Sequence, residues 1–130
     1  MTESKTPAAE SLAQSHYERG LDLLAAGSPA EAVRAFRAAI AAGPENSHAQ
    51  IDAHHGLIRA LRDAGQLEQS IAAALALTAL TPADPLAHTA LSISLQTAGH
   101  IPQAEAAAAR ARILEWKIQL QSPPSEDSLS

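Results

Sequence analysis

Any chemistry in this chain must come from six histidines and fourteen carboxylates, because it contains no cysteine. Without thiols there is no disulfide, no thiolate metal site and no thiol nucleophile. His16, His54 and His88 invite comparison with a zinc site, but the spacing that brings ligands together is missing. His54 and His55 are adjacent and leave a helix on different faces, and no HExxH pair occurs. No serine sits in a GxSxG turn, and there is no glycine-rich phosphate loop. The carboxylates are scattered over polar positions, where solvation is expected rather than acid–base pairing. No catalytic residue, metal or cofactor is therefore expected.

The formal charge of −5 argues against nucleic acid as a partner, since that affinity rests on basic residues facing phosphates. No polybasic segment suits an anionic membrane, and no apolar run approaches the ~18 residues of a membrane span. The opening "MTESKTPAAESLAQS" has no apolar stretch of the kind that marks a secretory signal, so a soluble cytoplasmic protein is expected.

The elements that position these side chains are helices. Hydrophobic residues make up 46% of the chain and aromatics only 2%, with alanine the commonest residue, so helices must approach closely to bury enough surface. Six helical segments and no strand are expected between tails at 1–7 and 122–130. The first runs from Ala8 to Ala26 and stops at Gly27, which suits a left-handed turn. Ser28, Pro29 and Glu31 read as N-cap, first helical residue and capping-box partner of the second, which Gly43 and Pro44 end.

This pattern returns. Gly27, Gly65 and Gly99, each preceded by alanine, close three helices at steps of 38 and 34 residues, and Pro44 and Pro82 are also 38 apart. A period near 34 built from two helices is that of the tetratricopeptide repeat, and the residues match its pattern slot by slot. In the first unit the slots hold His16, Arg19-Gly20, Leu23, Ala32, Phe36 and Pro44. In the second they hold His54, Leu57-Ile58, Leu61, Ser70, Ala74 and Pro82, and in the third His88, Leu91-Ser92, Leu95, Ala104, Ala108 and Trp116. The chain thus resembles a small tetratricopeptide-repeat protein over residues 13–118, with units at about 13–46, 51–84 and 85–118.

The resemblance implies an all-α fold: three hairpins stacked in a right-handed superhelix. Ser47 to Gln50 read as a four-residue insertion forming an extra turn. Ala74 and Ala108 stand where the family has aromatics, so close helix packing is expected there. Trp116 replaces a closing proline, so the last helix should run on to about Gln121. Stacking also separates equivalent histidines by roughly 10 Å, too far to share one metal ion. Half-buried histidines packed against the neighbouring unit are expected instead.

The resemblance further implies a non-catalytic module that binds a peptide or helix of a partner protein on its concave side. The lining positions are Gln14, Tyr17, Leu21 and Leu24 in unit one, and Asp52, His55, Arg59 and Arg62 in unit two. Unit three supplies Leu86, Thr89, Ile93 and Gln96. Family members that grip carboxylate tails use Lys, Asn and Arg where this chain has Tyr17, Leu21, Gly56, Leu86 and Ala90. None of these supplies the required charge or amide, so an apolar segment is the expected ligand. Ile113, Leu114, Trp116, Ile118 and Leu120 form a second candidate surface, for self-association into a homodimer or scaffold.

Overall fold

The computed structural model describes residues 7–122. Apart from Pro7 and Ser122, the expected tails lie outside the described residues. Pro7 itself opens the first helix, a position where its missing N–H costs nothing. Six helices follow, and there is no strand among the described residues: α1 Pro7–Ala25, α2 Pro29–Ala42, α3 His48–Asp63, α4 Leu67–Leu80, α5 Pro85–Thr97 and α6 Ile101–Gln121.

Within each hairpin the turn is set by the backbone. Gly27, Gly65 and Gly99 have φ of 79°, 79° and 87°, a region that side chains strain to enter. Each lets the next residue, Ser28, Gln66 or His100, donate its N–H back to Leu23, Leu61 or Leu95 at 2.8–2.9 Å. The same three residues accept the first bond of the following helix, from Ala32, Ser70 and Ala104. Side chains hold none of this geometry, which is why serine, glutamine and histidine serve equally. The expected capping box at Ser28 and Glu31 is absent for that reason: Ser28 makes no side-chain cap, and its N–H, which Glu31 would need, is bonded to Leu23.

A side-chain cap forms instead at the insertion. Ser47 Oγ accepts the Gln50 N–H at 3.1 Å, and the Gln50 amide takes the Asn46 N–H at 2.7 Å while donating to the Ile40 carbonyl at 3.0 Å. The inserted residues therefore add a capped turn to α3 and tie it to the end of α2.

Stacking follows from which helices touch. Consecutive helices pack along the whole chain, α1 also meets α3 and α3 meets α5, but α2, α4 and α6 do not meet one another. First helices in contact and second helices splayed apart bend the stack around the first helices, giving the concave side.

Two clusters fill the core. In the first, the fully buried Phe36 lies with Ala32, Val33, Leu57, Ala60 and Leu61. Its ring wedges between α1 and α3 at two glycines: a Cβ on Gly20 would lie 2.6–2.8 Å from ring atoms, and one on Gly56 would overlap Cε1. The second cluster holds Ala74 at the equivalent place, with Ile58 and Ala90 standing where unit one has Gly20 and Gly56. Bulk has moved from α4 onto the facing helix, so the alanine is compensated by Ile58 as well as by close packing. A polar tie crosses the same layer: Ser70 Oγ donates to the Ile58 carbonyl at 3.1 Å, so its contact with Ser94 Oγ at 2.7 Å has Ser94 donating.

Candidate functional site

The concave face contains an open groove of about 390 Å³ between α3 and α5. From α3 come Asp52, His55, Arg59 and Arg62, three or four residues apart and so on one helical face. Leu86, Thr89 and Ile93 repeat that spacing on α5, and Ile58 and Ala90 complete the lining. Seven of the residues singled out from sequence thus converge. Ile58 and Ala90 were missed as lining residues, although Ala90 lies four residues after Leu86 on the same face.

Unit one is arranged differently. Tyr17 and Leu24 are half-buried against the first core cluster, and the Tyr17 ring lies 5.8 Å from that of Phe36 at a 58° tilt. The large buried aromatic draws them inward, which leaves Leu21, 42% exposed, as the open apolar residue there. Tyr17 does not line the groove between α3 and α5. Burial and the neighbouring Asp52 carboxylate both raise its pKa above the usual phenol value. Gln96 faces a separate cleft of about 170 Å³ with Ser92, Ile101 and Glu105.

The groove is apolar along α5 and charged along α3. Leu86 is 60% exposed and Ile93 41%. Arg59 lies 3.6 Å from Asp63, a solvent-exposed pair of small energetic value. Arg62 is half-buried, and desolvation lowers its pKa, partly offset by Asp63 and assisted by Arg59. A guanidinium remains charged through such shifts. His55 presents a buried Nε2 that has no hydrogen-bond partner among the described residues.

The other histidines sit away from the groove. His16 lines a cleft between α1 and α2, and His54 one bordered by α3 and α4. Both are half-buried. His16 lies within its own hairpin, whereas Arg37 of the neighbouring first unit also lines the His54 cleft. His88 Nε2 is 3.0 Å from the Pro82 carbonyl, which can only accept, so that nitrogen carries the proton. No group of three or more histidine, aspartate or glutamate side chains is placed to hold a metal ion among the described residues. No helix among the described residues is long and apolar enough to cross a membrane.

A family model described as Tetratricopeptide repeat matches residues 23–93, more than half of the chain. The chain belongs to the tetratricopeptide repeat family. No curated protein matches it. Among solved structures, the crystal structure of the TPR domain of Arabidopsis FLU is similar, with a TM-score of 0.67 and 16% sequence identity. The match covers 87% of this chain and 99% of that one, and at such identity it is a likeness of fold. The protein is thus an all-α superhelix of TPR hairpins with an extended last helix, and TPR domains generally mediate protein–protein interaction. At the positions where some TPR domains clamp a carboxylate, Gly56 is pressed on Phe36 and Leu86 and Ala90 line apolar groove wall.

One pH dependence follows from the TPR scaffold itself. His54 has its pKa lowered from 6.5, first by burial and then by the nearby His55. Between the lowered value and 6.5 the folded chain binds fewer protons than the unfolded chain, so stability rises with pH across that window. The contribution is present above 6.5 and is lost as pH falls through the folded pKa. Thermal melts of the native chain and His54→Gln at about pH 7.5 and about pH 5 should show a smaller acid loss in the variant. An equal loss in both would show that His54 does not carry the effect.

Proposed function

We propose that this protein is a non-catalytic adaptor that holds an apolar segment bearing acidic side chains, from a partner protein, in the groove between α3 and α5. The convergence of open Leu86 and Ile93 with Arg59 and Arg62 in one groove supports this reading. Two exposed aliphatic anchors offer burial of about 1.5–3 kcal/mol each when covered. The two guanidiniums select for carboxylates and speed encounter. The carboxylate of Asp52 at the rim disfavours a uniformly acidic ligand, so apolar contact supplies the affinity and charge the orientation.

The test is site-specific photocrosslinking from Thr89, in the groove lining, followed by affinity measurement with the captured partner. Arg62→Glu is expected to weaken binding at least about tenfold, because it replaces an attraction by a repulsion in a half-buried place. Circular dichroism should show an unchanged fold. A partner whose affinity is indifferent to both Arg62→Glu and Leu86→Gln does not occupy the groove, and the reading fails.

A further inference from the structure

The last helix carries two apolar faces, and α5 covers one of them. Ala104, Ala107, Ala111 and Leu114 are buried, at steps of three, four and three residues, and α6 packs on α5 alone. Leu114 thus leaves the surface patch expected from sequence and joins the core, because it lies on this covered face. Ile118, one turn further, extends the same row past the start of α5 and is 47% exposed.

The opposite face bears Ala106, Ala109, Ile113, Trp116 and Leu120. Their steps are three, four, three and four, the spacing of a coiled-coil seam held for two heptads. Exposure rises along it to 44% at Ile113, 62% at Trp116 and 69% at Leu120. A helix that needed to cover only one neighbour would carry polar residues there. The seam spans about 22 Å, enough for four turns of a second helix.

Charge decides what covers it. The positions flanking the seam are Glu105, Arg110, Arg112, Lys117 and Gln119, a net excess of two positive charges on a chain whose net charge is −5. A second copy laid on this face would set Arg110, Arg112 and Lys117 against the same three residues, and flanking charges of like sign oppose pairing. A helix with acidic flanks meets no such repulsion. We propose that the outer face of α6 is a docking seam for one amphipathic helix of a partner protein, with apolar residues at heptad spacing and glutamate or aspartate beside them. This surface is separate from the groove and lies on the other side of the stack from it, since α6 is a second helix.

Trp116 is the only tryptophan, so its fluorescence reports this face directly. The full chain is titrated with two synthetic helices sharing a leucine and isoleucine seam, one flanked by glutamate and one by lysine. The expected result is a saturable blue shift of Trp116 with the glutamate peptide, at an affinity about tenfold or more above the lysine peptide at low salt. Leu120→Gln, at an exposed position that leaves the fold intact, should abolish the shift, while Arg62→Glu should leave it unchanged. Equal response to both peptides, response to neither, or a shift that survives Leu120→Gln overturns the proposal. So does a blue shift on concentrating the chain alone with a dimer mass by light scattering, which assigns the seam to a second copy.

Discussion

Phe36→Ala is expected to lower the unfolding free energy by about 3–5 kcal/mol, a large part of the ~5–15 kcal/mol typical of a domain. The reason lies in what surrounds the ring. Phe36 is fully buried, and the helices on either side of it present Gly20 and Gly56. Removing the ring leaves a space that no side chain at those two positions can enter, so the cavity persists instead of collapsing. Because the ring joins α1, α2 and α3, its loss also loosens Tyr17 and Leu24, which pack against the same cluster. Urea titration and a thermal melt followed by circular dichroism measure the effect, with a drop in Tm of roughly 10–20 °C. Leu75→Ala, at a side chain 53% exposed, is the control and should change little. A loss below about 1 kcal/mol for Phe36→Ala would mean that the core does not depend on this wedge.

Gly56→Ala is expected to be the second most damaging change, and its sign is opposite to helix propensity. Glycine within a helix ordinarily costs about 1 kcal/mol relative to alanine, so the substitution would stabilise an unconstrained site. Here the new Cβ would overlap Phe36 Cε1 and lie 2.7 Å from Cδ1 and Cζ. The ring has little room to withdraw, because Gly20 of α1 crowds the same ring atoms, at 2.6–2.8 Å from where its own Cβ would lie. A net loss of about 1–3 kcal/mol follows from overpacking. The second cluster shows the remedy: alanine at position 74 goes with bulkier Ile58 and Ala90. Phe36→Leu combined with Gly56→Ala should therefore be more stable than the sum of the two single losses, by about 1 kcal/mol or more. Strict additivity in chemical denaturation would show that ring and glycine do not press on one another.

Much of the architecture was readable because its signals are local. Three alanine–glycine pairs mark turns that need a left-handed residue, and the backbone bonds at Ser28, Gln66 and His100 repeat from turn to turn. The long last helix was legible from Trp116 standing in place of a proline, and α6 does run to Gln121. Local logic also misled. Ser28 with Glu31 has the spacing of a capping box, yet the hairpin turn had already taken the Ser28 N–H. Ser47 with Gln50 has the same spacing and does cap, because the extended backbone of Ser47, φ −73° and ψ 158°, aims its Oγ at the Gln50 N–H.

The groove was partly legible. Helical spacing identifies residues that share a face, and Asp52, His55, Arg59 and Arg62 do so. Spacing within one helix cannot say what a neighbour covers. Tyr17 and Leu24 occupy the slots of His55 and Arg62, but Phe36 gathers them into the core. Leu114 and Trp116 are two residues apart in one apolar run, yet the first is buried and the second open. Sequence alone therefore determined the helical repeat, its turns and its family, since each depends on backbone preferences within a few residues. Which apolar side chains remain for a partner was decided by tertiary structure, because burial belongs to two surfaces and only the fold brings the second one into place.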